Sequence, residues 1–215
     1  MRMSGRLKLK VCGMRDAENI SAIASLRPDY MGFIFFDKSP RWVGPEFTMP
    51  ELPESIKKAG VFVNASNEEM LKAASTHKLD VLQLHGSETV EQLKGLAGRG
   101  PDLWKVFAID EHFDFQTLDA YVPYVSMFLF DTKGKYYGGN AKTFDWSILQ
   151  KYNQRSPFLL SGGLNAMNVS GVRGLTGMNI HGIDLNSGIE AAAGVKDSEK
   201  LRAVISEMEK IDDYN

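Results

Sequence analysis

Eight short apolar runs, six of them closed by Cys, Asn, His, Asp or Ser, recur along this 215-residue chain and constrain its fold more than any other feature. They span 7–12, 30–36, 60–64, 81–85, 104–109, 127–131, 158–161 and 182–186. Their length, β-branched and aromatic content and polar punctuation read as strands. The seven steps from Cys12 to Asn186 average about 25 residues, the size of one strand plus one helix. Eight such units predict an α/β protein built as a closed (β/α)8 TIM barrel. A single domain over 1–215 is expected, with 1–6 a short N-terminal extension and 211–215 a tail. An open doubly wound sheet is the alternative, and the absence of a dinucleotide-binding fingerprint weighs against it.

The segments between the runs carry helical spacing. Asp16 is placed to cap a helix over 15–26 that turns Ile20, Ile23 and Ala24 to one side, and Asn67 to cap one carrying Met70, Leu71 and Ala74. Ser87-Glu88 leads into Val90, Leu93 and Leu96; Asp145 precedes Trp146, Ile148 and Leu149; and Ser198 opens a last helix with Leu201, Val204, Ile205 and Met208. Proline in a helix interior costs about 3 kcal/mol. Pro50 and Pro53, and Pro123 after 113–121, therefore predict weak or irregular helices after strands 2 and 5.

A net charge of −2 without a Lys/Arg cluster excludes a polynucleotide partner. There is no apolar run of about 18 residues to span a membrane, and residues 1–6 are too short and polar for a signal peptide. One cysteine permits no internal disulfide, so a reducing, cytoplasmic setting is expected.

Barrel enzymes place their chemistry at the carboxyl ends of the strands, which here would gather Cys12, Asp37, Lys38, Asn64, His85, Asp131, Ser161 and Asn186 on one rim. By residue type alone a lone cysteine is a small buried hydrophobe; its position at a strand end gives Cys12 a chemical reading. Strand alternation puts Lys10 one layer below Cys12, Gln83 below His85 and Asp184 below Asn186. A buried ammonium requires a carboxylate, so Lys10 should pair with Asp184 or Asp131, and its charge should favour a thiolate at Cys12. Gly162-Gly163 and Asn186-Ser187-Gly188 follow the seventh and eighth runs, where barrels bind phosphate through backbone amides. Arg41, after the second run, could grip a carboxylate through two parallel hydrogen bonds.

Asp131 is followed by the glycine-rich stretch 134–143, which suggests a lid and does not fit a P-loop, because Lys142 stands two residues beyond the position that the spacing of Gly134 and Gly139 requires. His85 is an acid or base by type, with a hydrogen-bonded structural role as the plainer reading. His77, His112 and His181 show no ligand spacing with one another or with Cys12, so no metal is expected.

Seven strings of this chain, KVCGM, GFIFFDKSPRWV, GVFVN, QLHGSE, FDTKGKYYGGNAKTFDW, LSGGLNAMNV and GIDLNSGIE, closely resemble the phosphoribosylanthranilate isomerases in order and spacing. The resemblance implies a (β/α)8 barrel that converts N-(5-phosphoribosyl)anthranilate to 1-(2-carboxyphenylamino)-1-deoxyribulose 5-phosphate without a cofactor. It assigns the general base to Cys12, the general acid to Asp131 and the contact with the anthranilate carboxylate to Arg41. The substrate is a small phosphosugar-anthranilate, with Lys10, His85, Gly162, Gly163, Asp184, Asn186, Ser187 and Gly188 as further candidate contacts. A monomer or a homodimer is expected. The family's usual Gly-Thr-Gly is Gly139-Asn140-Ala141 here, which removes a glycine from the sixth loop.

Overall fold

The computed structural model describes residues 6–132, 146–175 and 177–212. All eight runs are strands: β1 (Lys8–Val11), β2 (Tyr30–Ile34), β3 (Lys57–Phe62), β4 (Val81–Leu84), β5 (Asp102–Ile109), β6 (Met127–Thr132), β7 (Phe158–Ser161) and β8 (Ile180–Leu185). They pair in sequence order and in parallel, and β8 closes on β1, with Lys10 opposite Asp184. A closed ring leaves no strand edge unpaired.

Alternation along the strands divides the apolar residues into two populations. Ala59, Val81, Trp104, Val106, Met127, Leu129 and Leu159 form one buried cluster, the filling of the barrel. Leu9, Val11, Met31, Phe33, Phe128, Phe130, Leu160, Ile183 and Leu185 pack in a larger cluster with Ile20, Ile23, Leu201, Val204 and Met208 of the surrounding helices. The layer nearest the mouth is thin, with Cys12, Ile34 and Val61 in contact.

The outer helices follow their caps. Asp16 caps α1 (Ala17–Ala24) through Asn19 N, as the sequence predicts. The cap of α2 (Asn67–His77) is Ser66 rather than Asn67, because Ser66 and Glu69 form a reciprocal capping box. Thr89 caps α3 (Val90–Leu96), in place of the Ser87-Glu88 start. Among the described residues no helix forms after β2, where Pro50 and Pro53 lie, and the segment after β5 is two 3-10 turns, Phe115–Ala120 and Val122–Tyr124. Trp146–Lys151 and Val169–Leu175 are also 3-10 segments, so irregularity extends to the units after β6 and β7. Asp145, the expected cap there, and the glycine-rich stretch with Asn140 and Ala141 lie outside the described residues.

The last element among the described residues is α4 (Ser198–Asp212), in which Ile211 is buried, so packing includes the first position of the tail expected over 211–215. Of the N-terminal extension only Arg6 is described, and it pairs with Asp29. Between β8 and α4 lies a hairpin that the sequence reading did not contain, β9 (Glu190–Ala192) against β10 (Val195–Lys196).

Glu88 owes its absence from the cap to a buried ion pair. Its carboxylate accepts from Lys105 Nζ at 3.0 Å and from the backbone N–H groups of Asn64 and Gly86, while Lys105 also donates to the carbonyls of Leu84, Gly86 and Val106. This network ties the loops after β3 and β4 to the top of β5. Breaking one side of such a pair leaves a buried charge uncompensated. Lys105→Met should therefore lower unfolding stability by about 3 kcal/mol in chemical denaturation; a loss under about 1 kcal/mol would remove the network's structural role.

Candidate active site

At the carboxyl end of β1, Cys12 N donates to Leu185 O at 2.8 Å, so the residue continues the strand by one position and lies beside the end of β8. Beneath it Lys10 Nζ donates to Asp184 Oδ1 at 2.7 Å, with the two side chains 0% and 4% exposed. Asp184 Oδ2 also accepts from Ser161 Oγ at 3.3 Å. The pair expected from the sequence thus forms with Asp184, and it lies under the floor of the mouth rather than on its surface. Room for it comes from Gly32 on β2, where a Cβ would stand 2.8 Å from Cys12 Sγ and 3.1 Å from Lys10 Nζ.

The electrostatics differ from the sequence-based expectation. Burial pushes the Cys12 thiol up; Lys10 pulls it down, Asp184 adds to the rise and Lys196 opposes it, and the balance stays above the ordinary value. Lys10 alone does not make a resting thiolate. Burial pushes Lys10 itself down, but Asp184 and the thiol outweigh this and hold it as an ammonium.

Across the mouth, Asp131, one residue before the end of β6, lies opposite Ser161 of β7 and remains accessible, with 27% of its side chain exposed. His85 Nε2 lies 3.9 Å from Asp131 Oδ2, and His85 Nδ1 is 3.0 Å from Gln83 Nε2. With the Gln83 amide donating to Nδ1, the imidazole carries its hydrogen on Nε2, toward Asp131. His85 is therefore both the hydrogen-bonded histidine of the plainer reading and a polar group at the mouth.

After β2 the chain turns back, with Trp42 bridging Ile34, and this presents Arg41 at the rim. Its Nε and Nη2 donate to Glu190 Oε1 and Oε2 at 2.7 and 2.5 Å. Glu190 Oε1 also accepts from Lys196 Nζ at 2.6 Å and Gly194 N at 3.0 Å. Lys196 Nζ in turn donates to Asn186 Oδ1 at 2.7 Å. Burial pushes the Glu190 carboxyl up, but the hydrogen bonds from Arg41 and Lys196 overcome it and hold the group down at about 2.

The loops after β7 and β8 meet. Gly188 stands so close to the Leu164 carbonyl that a Cβ would lie 2.0 Å from its oxygen. Asn165 and Asn168 side chains donate to Gly163 O and fix the first loop, in which Gly162 and Gly163 make the turn. Ser187–Ile189 is a short 3-10 turn, and the leading N–H groups of such a turn have no partner within it.

The sequence reading missed Gly32, Glu190 and Lys196. Only strand pairing shows Gly32 beside Cys12, and only the hairpin folds Glu190 and Lys196 back onto Arg41 and Asn186. A buried lysine followed at once by Asp197 carried no period that would have singled it out.

A closed parallel barrel whose mouth holds a thiol and a carboxylate on separate strands, next to adjoining glycine loops, belongs to the class of barrel enzymes equipped for acid–base work. The family model described as N-(5′-phosphoribosyl)anthranilate (PRA) isomerase matches residues 9–207. The chain belongs to that family, and is thereby an isomerase of tryptophan biosynthesis. Similar relatives named N-(5′-phosphoribosyl)anthranilate isomerase include that of Parabacteroides distasonis, 45% identical over 93% of this chain and 92% of the relative. That of Phocaeicola vulgatus is 44% identical over 94% and 98%. The crystal structure of the Thermotoga maritima enzyme superposes with a TM-score of 0.83 at 32% identity, covering 95% of this chain and 99% of its own. A phosphoribosylanthranilate isomerase in complex with reduced 1-(o-carboxyphenylamino)-1-deoxyribulose 5-phosphate superposes at 0.81 and 30% identity, with the same coverage.

Proposed function

We propose that Cys12 and Asp131 are the base and acid of the family's reaction, the rearrangement of N-(5-phosphoribosyl)anthranilate to 1-(2-carboxyphenylamino)-1-deoxyribulose 5-phosphate. Asp131 protonates the ribose ring oxygen, which opens the ring to a Schiff base. Cys12 then removes the proton from C2′, and the resulting enolamine tautomerises to the ketone. The conversion is an isomerisation: hydrogen moves within the substrate, and no external oxidant or reductant enters the balance.

The observation that carries this reading is the placement of the only thiol at the end of β1 and an accessible carboxylate at the end of β6, on the same face of one closed barrel. On that face the joined loops at Gly162, Gly163, Ser187 and Gly188 offer backbone donors for the phosphate, and Arg41 offers a guanidinium for the anthranilate carboxylate. His85 lies near Asp131. Asn186, Lys10 and Asp184 serve from behind, since their polar atoms are engaged with Lys196 and with each other.

No metal or cofactor takes part in this scheme. The active form is read as a monomer or a homodimer; a Thermotoga maritima relative is described as a dimeric enzyme. Among the described residues no helix is long and apolar enough to cross a membrane, and the small phosphorylated substrate supports a cytoplasmic location.

Incubation with N-(5-phosphoribosyl)anthranilate, following loss of its fluorescence, tests the proposal directly. Turnover by the wild-type chain is expected. Tight binding without turnover would instead make the chain a phosphate-ligand binder that has kept the fold without the reaction.

A further inference from the structure

Arg41 already holds a carboxylate, the chain's own. Glu190 takes the Nε–Nη2 edge of the guanidinium, with both oxygens engaged. A guanidinium has five N–H donors in a planar fork. The two on Nη1 and one on Nη2 are left, and among the described residues no acceptor takes them. One N–H of Nη1 and the remaining N–H of Nη2 lie side by side on the second edge, which matches a further carboxylate.

We propose that Glu190 is the positioning residue of the carboxylate anchor: it grips one edge of Arg41 so that the other edge is presented to the aromatic acid group of the substrate. The inference rests on the reading of Arg41 given above.

Three features support it. Glu190 is itself fixed, since Lys196 Nζ and Gly194 N donate to Oε1, and Lys196 exchanges backbone hydrogen bonds with the Asn19 side chain of α1. Gradients of burial point outward: the Glu190 side chain is 7% exposed and that of Arg41 21%, so the carboxylate is the inner support and the guanidinium the face of the pair. The charges leave an excess, because two cations, Arg41 and Lys196, share one anion. Both cations lie against Gly13, the residue after Cys12, with Arg41 Cδ 2.8 Å and Lys196 Nζ 3.3 Å from where a Cβ of Gly13 would be. Glu190 stays ionised at any pH near neutrality, since its carboxyl is held at about 2.

Without the inner carboxylate, Arg41 and Lys196 would repel one another and the guanidinium could turn edge-on to solvent. Binding energy would then go into ordering the anchor rather than into holding the ligand.

The test compares wild type, Glu190→Gln, Arg41→Ala and the double variant. It uses steady-state kinetics on N-(5-phosphoribosyl)anthranilate and binding of the reduced product analogue with and without its ring carboxylate. Glu190→Gln should raise KM about 10-fold with kcat within about 3-fold, a loss in proportion to one charge-assisted contact. It should weaken the carboxylated analogue and leave the analogue without a carboxylate unaffected. The double variant should be no worse than Arg41→Ala. Glu190→Asp keeps the charge on a shorter arm and should fall between wild type and Glu190→Gln, which gives a second measurement should the glutamine variant fold poorly. Equal weakening of both analogues, or an unchanged KM in Glu190→Gln and Glu190→Asp while Arg41→Ala raises it, would overturn the inference. An unchanged KM in Arg41→Ala would overturn the anchor reading itself, so the two failures are distinct.

Discussion

Cys12→Ala is expected to lower kcat/KM by roughly 10³-fold or more, within the range that a positioned general base contributes. The substitution removes one sulfur atom from a site where Ile34 and Val61 already pack, so the barrel should fold as before. No neighbour can take over. Lys10 is an ammonium bound to Asp184 and has no lone pair to accept a proton, and Lys196 is held by Glu190 and Asn186. A variant within tenfold of wild type would remove Cys12 from the base role.

The same thiol has a measurable resting state. Because burial outweighs its cations, titration of the single cysteine by thiolate absorbance should show a midpoint above the ordinary value of 9.0 in the free enzyme. A raised thiol pKa means the neutral form dominates at pH 7 and the thiolate grows as pH rises. Lys196→Met should move the midpoint higher still, since it removes a charge that favours the thiolate. A midpoint below 9.0 would contradict this balance. The reaction itself supplies what the resting site lacks: the Schiff base formed on ring opening is cationic, and positive charge beside a thiol lowers its pKa. The base is strengthened when the C2′ proton is to be removed.

Asp131→Asn is the second large effect, again roughly 10³-fold in kcat/KM. Asparagine preserves shape and the strand register with Ala108 and Ser161 but carries no transferable acid proton at neutral pH. The loss should fall on kcat, with KM changed by less than about 3-fold, because the groups assigned to phosphate and carboxylate are elsewhere on the rim. Near-wild-type kcat would reject Asp131 as the acid and turn attention to His85, whose Nε2 faces the same region.

Much of this organisation is legible in the sequence because parallel barrels repeat one local rule. Each strand is a short apolar run whose last residue reaches the mouth, so Cys12, His85, Asp131 and Asn186 can be located by counting. Alternation plus the cost of an unpaired ammonium calls for a carboxylate beside Lys10 and leaves Asp184 and Asp131 as candidates; the register of β1 on β8 selects Asp184. The caps at Ser66 and Thr89 were displaced by one or two residues because several polar side chains competed for each helix start, and a competing demand, the buried Lys105, drew Glu88 away. The helix expected after β2 is absent because Pro50 and Pro53 interrupt the segment within four residues. What could not be read was contact between segments far apart in the chain: Gly32 under the thiol, and Glu190 and Lys196 folded onto Arg41. Neither residue type nor period encodes these: the pairing of β1 with β2 makes the first contact and the hairpin after β8 the others.

Lys10 and Asp184 are separated by 174 residues. During synthesis the first strand emerges with a charge that cannot be buried until the eighth strand exists, so a partial barrel must keep β1 wet. Closure is thereby coupled to arrival of the eighth strand: a chain cut before β8 would be left with an open seam at β1 and with the Lys10 ammonium lacking its carboxylate.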